Sequence, residues 1–275
     1  MIACGVLAIA QDGVMKWLTT DYPVGQILFL RALFAYIPIG LLIWRAGGLV
    51  CLRTKNPGKQ LLRGVLVTAS TWIIVIAFGV LPFADAIAAS FTAPLFITAL
   101  AGPLLGEPVG WRRWSAVVVG FAGVIVMLRP GLSLELAMLL PLMAALAGAL
   151  RDVFTRRMIP SESSAGTLFY SFSIMFLISG ATAPFIWKTP TLFDLGLLLA
   201  AGVMFGSAHF LLILAYRFGE AAVITPFVYT QILWAVAVGY VIWDQLPDRY
   251  VMAGAILVAG SGLYILHREA RRRAA

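Results

Sequence analysis

The sequence predicts an all-α polytopic membrane protein, and three observations carry that prediction. Hydrophobic residues make up 61% of the 275 positions and charged residues only 12%, about half the ~25% charged content of a soluble domain. So few charges cannot cover a soluble surface. The apolar residues gather in runs of about twenty, the length at which a helix covers roughly 30 Å of hydrocarbon. Finally, 26 glycines and 14 prolines would trouble soluble helices but are tolerated in membrane helices, where neighbours re-satisfy the backbone.

Taken in order, the apolar runs give ten spans, most closed by a proline, a glycine or a basic stretch. Span 2–19 stops before Pro23, and 24–44 runs into the basic segment 45–60. Span 61–79 stops before Pro82, 84–105 before Pro108 and 113–128 before Pro130. Span 133–154 gives way to the polar stretch 155–164, which holds Pro160. Spans 165–186, 192–215 and 221–243 end near Pro190, Gly219 and Pro247, and 250–267 leads into a basic tail. Connections this short leave no room for an extra domain.

Lysines and arginines orient the bundle. With a cytoplasmic N-terminus, the inner joints hold fifteen of the twenty: Arg45, Arg53, Lys55, Lys59, Arg63, Arg112, Arg113, Arg151, Arg156, Arg157, Arg217, Arg268 and Arg271–Arg273. The outer joints hold Arg129, Lys188 and Arg249, while Lys16 and Arg31 lie within spans. Cytoplasmic loops carry such an excess of cations, so both termini are expected in the cytoplasm. A miscounted span would have moved later joints to the wrong side and erased the bias.

Ten spans divide into halves of five, 1–130 and 131–275. An odd number per half makes the second half run with opposite topology, an inverted repeat. A faint internal echo agrees. At an offset of 137, the run ending at Leu105, with its joint EPVGWRRW, returns as ITPFVYTQILWAVAVGYVIW and DQLPDRYV. Glu107 then meets Asp244, Arg112 meets Arg249, Ser70 meets Ser207 and Trp72 meets His209.

With the spans in place, the chain resembles the drug/metabolite transporters of the EamA type, on the amino-acid and metabolite exporter side of that group. The residues that carry the likeness are AQDGVMKWLTT, YPVGQILFLRALFAY, FTAPLFITALAGPLLGE and WRRWSAVVVGFAGVIVML. The resemblance implies two inverted five-helix repeats around a central cavity lined by the first four helices of each half, with the fifth and tenth helices peripheral. It also implies a secondary carrier that needs no ATP, and no Gly-rich phosphate loop is present. PFVYTQILW in the second half stands where the first has TAPLFITAL, so the cavity is expected to be asymmetric.

Ionisable groups inside hydrocarbon are costly and are functional candidates by default. Asp12 and Lys16 lie four apart on one face of the first helix. Arg31 lies about eight residues into the second, at roughly 12 Å depth by helix rise, which matches Asp12. The three form either a structural ion cluster or a site that answers to protons or carboxylates. Asp12 is the carrier of any proton coupling.

His209, beside the small Ser207, is expected to face the bundle interior because lipid would leave its ring nitrogens unpaired; Trp72 is its counterpart. Tyr229, Gln231 and Trp234 fall near mid-membrane, where interface anchoring does not explain them, and Tyr170 is a further cavity candidate. Pro94 and Pro226 break helices in corresponding regions, as gates or as plain kinks. Glu107 is a joint or gate residue.

The expected function is a secondary active transporter that exports small metabolites, amino acids first among them, across the bacterial inner membrane by alternating access. The alternative is import of a nucleoside-like or cofactor-like solute, which aromatic lining suits as well. A membrane enzyme is not expected, since only two histidines are present and no catalytic cluster forms. A channel lacks its ring of repeated polar residues. The expected partners are a small solute, the lipid bilayer and a proton as candidate coupling ion, with the chain acting as a monomer or weak homodimer. Nucleic acid is excluded because the +8 net charge is scattered with no basic face. Neither a cofactor nor a metal is expected, for Cys4 and Cys51 have no ligand spacing. No cleavable signal is expected either, as no basic stretch precedes the first apolar run.

Overall fold

A computed structural model describes residues 2–106, 110–128, 136–158, 162–218 and 225–274. Among them the chain is helical throughout, with no strand. Helices α1 (Ile2–Leu18), α2 (Val24–Arg45) and α3 (Pro57–Val80) are followed by the pair α4 (Phe83–Ser90) and α5 (Ala93–Leu105). Then come α6 (Trp111–Leu128), α7 (Leu139–Met158), α8 (Ser164–Ile186), α9 (Leu192–Phe218), α10 (Thr230–Trp243) and α11 (Arg249–Ala274).

Seven stretches among the described residues are long and apolar enough to cross a membrane: Val24–Arg45, Pro57–Val80, Phe83–Leu104, Trp111–Leu128, Leu136–Thr155, Ser164–Ile186 and Leu192–Leu211. Phe227–Trp243 and Arg249–Ile265 are shorter apolar helices, and α1 has 17 residues. All lie where the sequence places its spans. Their outward faces carry bare apolar side chains such as Phe185, Leu192, Trp44 and Val241, as lipid contact requires. The chain is therefore a multi-pass membrane protein.

The packing order forms a ring. α2 packs against α8 and α9; α9 continues to α1, α1 to α10, and α10 to α4. On the other side α8 continues to α3, α3 to α7, and α7 to α4 and α5. Outside the ring, beside α4 and α5, α6 and α11 pack mainly on each other. Their crossing needs glycine: a Cβ on Gly254 would come within 2.5 Å of both the Gly123 carbonyl oxygen and Met127 Cγ. Small residues permit this approach where no hydrophobic force drives helices together in lipid.

Two helices of the ring are interrupted. At Phe91 and Thr92 the backbone N–H groups bond to Ala88 and Ala89, a three-residue tightening before α5 restarts. Pro94 sits in the first turn of α5, where a missing N–H is harmless. On the other side a 3-10 turn, Thr225–Tyr229, contains Pro226 and precedes α10. The two interruptions meet, with the Phe91 and Tyr229 rings 5.5 Å apart. α5 and α10 also end alike, in left-handed caps at Gly106 (φ 69°) and Asp244 (φ 53°). Glu107 lies outside the described residues.

The α2–α8 edge is tied at both ends. At one end Tyr22 donates to Asp194, and Gln26 exchanges hydrogen bonds with the Lys188 backbone. At the other, the Glu162 carboxylate accepts from the backbone N–H groups of Lys55 and Asn56 and from the Gln60 amide. Slight burial pushes the Glu162 carboxyl up, but the donors Thr54, Gln60, Lys55 and Asn56 outweigh it and hold it below its ordinary value. The stability this tie contributes is therefore present at neutral pH and lost only as pH falls through that lowered value.

The α6–α11 crossing yields a paired expectation. Gly254→Val should overpack the contact and lower stability by about 1–3 kcal/mol. Gly260→Ala, whose added Cβ would meet nothing within 4 Å, should leave it unchanged. Thermal unfolding of the two variants in detergent reads the difference, and equal midpoints would refute the crossing.

Candidate functional site

The interior polar groups lie inside the ring, and glycine again sets the geometry. A Cβ on Gly202 would stand 2.6 Å from Phe34 Cβ and 2.8 Å from the Arg31 carbonyl oxygen. One turn on, a Cβ at Gly206 would meet Pro38 Cγ at 2.3 Å. α9 therefore lies directly on α2, and the next aromatic residue, Phe205, comes to rest beneath Arg31. The guanidinium carbon is 4.3 Å from the centre of that ring, a cation–π contact that gains strength where water is excluded.

From Arg31 a continuous string of side chains runs in both directions. Arg31 is 1% exposed. Its Nη1 donates to Gln11 Oε1 at 3.2 Å and its Nη2 to Met175 Sδ at 3.6 Å. Gln11 Nε2 in turn donates to Asp12 Oδ1 at 2.5 Å. Gln11 thus presents its oxygen to the cation and its amide nitrogen to the anion, an orientation both partners enforce. Asp12 is half-buried.

On the other side Phe205 stacks on His209 with ring centres 4.5 Å apart, and Phe172 touches both rings at 5.1 and 6.1 Å. His209 Nδ1 lies 3.0 Å from the Phe205 carbonyl oxygen. A carbonyl can only accept, so Nδ1 carries the proton and Nε2 is left as acceptor in the neutral ring.

Two more arginines approach the same place. Arg63 Nε donates to Thr155 at 2.8 Å, and its Nη1 donates to the Thr167 carbonyl and to Ser171, the residue before Phe172. Arg151, one turn before Thr155 on α7, pairs with Asp152 at 2.8 Å. The imidazole of His209 lies within electrostatic reach of Arg31, Arg63 and Arg151 together.

Not every residue singled out in the sequence joins this group. Lys16 departs from the cluster expected with Asp12 and Arg31: it is 8% exposed and points to the end of α3. Its Nζ donates to the carbonyl oxygens of Leu81 at 2.6 Å and Phe78 at 3.3 Å. A cation at a helix C-terminus is favourable, and the Asp85 carboxylate and the Trp243 ring add to it.

Trp72 Nε1 donates to Ser179 at 3.0 Å, fixing α3 to α8. By helix rise it lies roughly 14 Å in depth from His209. Tyr170 donates its hydroxyl to the Leu52 carbonyl at 2.8 Å, so it braces a turn. The Tyr229 hydroxyl is buried against Gly262 of α11, where an added Cβ would lie 1.8 Å away. Gln231 packs its side chain on Gly5 of α1. Trp234 is 40% exposed and shares its face of α10 with the bare Leu233 and Val241, away from buried Ala235 and Gly239. Ser207 is half-buried next to His209's neighbour Ala208.

His209, Tyr229 and Trp234 therefore do not converge as expected, because the helix breaks turn Tyr229 toward α11. The sequence reading passed over Gln11, Phe205, Phe172, Asp85, Arg63 and Arg151. The last two were counted as joint cations, although both lie within helices. Gln11, a polar residue beside Asp12 in an otherwise apolar helix, was the available signal.

A cavity of about 250 Å³ lies at the Lys16 end, lined by Leu81, Pro82, Asp85, Met127, Met138, Leu246, Asp248 and Val251. It is away from the Arg31–His209 string.

A ring of membrane helices enclosing buried charges and aromatic rings, with an apolar exterior, defines a polytopic membrane protein. The chain belongs to the EamA-like transporter family, whose model matches residues 2–129. It is 30% identical over 269 residues to the S-adenosylmethionine uptake transporter of Rickettsia prowazekii, covering 96% of this chain and 90% of that one. To the riboflavin transporter of Rhizobium johnstonii it is also 30% identical, covering 99% and 91%. The pseudopaline exporter of Pseudomonas aeruginosa is 24% identical, covering 90% and 87%. A solved crystal structure shares the fold, with TM-score 0.66 at 16% identity over 100% of this chain and 98% of the other. The protein is a transporter.

Gln11→Leu tests the string directly. It should leave one Arg31 donor buried without its acceptor and cost about 1–3 kcal/mol, read as a lower unfolding midpoint in detergent. Gln11→Glu keeps an acceptor for Arg31 but loses the donor to Asp12 and faces that acid with a like charge, so it should restore only part of it. An unchanged midpoint for Gln11→Leu would remove Gln11 as the bridge.

Proposed function

We propose that this transporter is a secondary carrier for uptake of a nucleoside-like or cofactor-like solute, with the Asp12–Gln11–Arg31–Phe205–His209 string as its binding wall. The observation that carries the reading is that string: one carboxylate, one guanidinium and one imidazole interleaved with aromatic rings inside an apolar ring of helices. A flat heterocycle with polar substituents can stack on the rings while the charged groups fix its orientation. The relatives named for S-adenosylmethionine and riboflavin lean the same way. Export of amino acids, the first expectation from the sequence, finds no support in the names of these relatives. The pseudopaline exporter, whose name gives export, is a more distant relative at 24% identity.

The mechanism we infer is alternating access between two five-span halves, 1–130 and 131–275, in a bacterial inner membrane with both termini cytoplasmic. What supports two halves is the packing order. Exchanging α1 with α7, α2 with α8, α3 with α9, α4 and α5 with α10, and α6 with α11 leaves every main contact of the ring in place. Rocking of one half on the other would then open the site to each side in turn. The α2–α8 edge, tied at both ends, would serve as the axis. Lys16 holding α3 to α1 would be the contact that breaks at one end. Asp12 is the proposed proton carrier, since it is half-buried and its charge balance with Arg31 changes when solvent reaches it.

Purified protein in liposomes tests the reading. Labelled S-adenosylmethionine or riboflavin should enter, and unlabelled solute on the far side should accelerate entry, as a carrier requires. Counterflow with amino acids alone would sink the proposal. With a proton gradient, Asp12→Asn should lose uphill accumulation by about ten-fold while exchange falls far less, since only accumulation needs the titrating group. Equal loss of both would make Asp12 structural.

Orientation has its own test. In a variant without Cys4 and Cys51, a cysteine at 128–132 should label from outside intact cells, and one at 55–59 only after permeabilisation. The reverse would overturn the proposed topology.

A further inference from the structure

The charges around His209 do not balance. Arg151 is paired with Asp152, but the hydrogen-bond partners of Arg31 and Arg63 are neutral. Arg31 donates to an amide oxygen and a thioether sulfur. Arg63 donates to two hydroxyls and a backbone carbonyl. Among the described residues neither guanidinium has a carboxylate within ion-pair distance, and Arg31 Nε, on a side chain 1% exposed, has no hydrogen-bond partner at all. The nearest acid to Arg31, Asp12, is held off by the intervening Gln11. Arg63 also feels the like charge of Arg151, which the weaker attraction of Asp152 opposes.

A guanidinium buried in a membrane bundle is costly unless an anion meets it. A protein that keeps two of them on neutral acceptors either bears that cost at rest or has it relieved by a visiting anion. The two guanidiniums sit on either side of one aromatic group: Arg31 on Phe205, and Arg63 on Ser171, whose neighbour Phe172 touches both Phe205 and His209. A solute stacked on those rings would present its substituents to both cations.

We propose that the transported solute carries an oxyanion, a carboxylate or a phosphate, and that Arg31 and Arg63 are the residues that select it. This rests on the carrier reading above, with the string as its binding wall, and adds the charge of the cargo. The planar guanidinium fork matches carboxylate and phosphate oxygens in pairs. Asp12, at the far end of the string, then faces whatever cationic or donor group the same solute bears. A solute with an anion at one end, a stacking ring and a donor at the other fits the sequence of charges found.

Two matched pairs of probes test it on the full-length protein: S-adenosylmethionine against its decarboxylated form, and flavin mononucleotide against riboflavin. Each pair differs by one anionic group, carboxylate in the first and phosphate in the second, so the pair that discriminates identifies the oxyanion. Competition binding in detergent should favour the anionic member of one pair by about ten-fold or more, the worth of one charge-assisted contact. Arg63→Gln should reduce that preference to about three-fold or less, and Arg63→Lys, which keeps the charge but loses the fork, should fall between the two. Should Arg63→Gln fail to fold, Arg31→Lys against Arg31→Gln makes the same comparison, and the wild-type pairs decide without any variant. Equal or tighter binding of the member without the oxyanion in both pairs would overturn the oxyanion while leaving the carrier reading standing. No binding by any of the four probes would overturn both.

Discussion

Every charge inside this bundle must find its partner within the bundle, and the placement of Arg31 is the consequence on which the interior depends. Hydrocarbon offers the guanidinium no water. The chain supplies instead a glycine-lined crossing that brings Phe205 under it, an amide from Gln11 and a sulfur from Met175. These come from α9, α1 and α8, so a single residue on α2 fixes the mutual position of four helices. Removing a methyl-sized gap at Gly202 would disturb the same four. Packing and electrostatics are here one constraint.

The helices themselves were legible because periodicity was not needed to find them. Length, hydropathy and terminal prolines sufficed, and the seven membrane-length stretches and the shorter apolar helices among the described residues lie at the expected spans. What the sequence could not convey was the direction of side chains on helices that are apolar on every face. Lys16 lies one turn from Asp12, and proximity in sequence suggested a shared cluster. The end of α3 arrives at Lys16 from 62 and 65 residues away, and its free carbonyls are a better partner than an acid already bonded to Gln11. Tyr229 was misplaced for a related reason: the 3-10 turn before α10 rotates it onto Gly262, and no local signal announces the phase of that turn. Arg31 and His209 were found because a charge or an imidazole in hydrocarbon has few places to go.

Backbone and charge follow different rules across the two halves. The packing order survives exchange of the first five spans for the last five, yet the interior charges do not repeat. At the offset of 137, Gln11 stands opposite Gly148, Asp12 opposite Ala149, Lys16 opposite Val153, Arg31 opposite Leu168 and Arg63 opposite Ala200. Only the pair Trp72 and His209 keeps a polar aromatic on both sides. A packing scheme tolerates divergence so long as volumes and small residues are kept, whereas a binding site for an asymmetric solute gains nothing from symmetry. The scaffold can be shared between halves while the chemistry belongs to one place.

That asymmetry bears on how such a protein could move. If two halves rock about the tied α2–α8 edge, opening toward one side must break contacts that have no equivalent on the other. At the Lys16 end the contact is polar and multiple: an ammonium on two carbonyls, near Asp85 and over the Trp243 ring. Its counterpart position is the fully buried Val153, which can offer only packing. Apolar contacts separate gradually as area is exposed, while a charge leaving its carbonyls must be solvated at once. The two ends therefore differ in how sharply they open. Under the proposed rocking, the lysine end would stay closed until a bound solute made the other arrangement equally good, which is how a ligand with differential affinity shifts a two-state equilibrium.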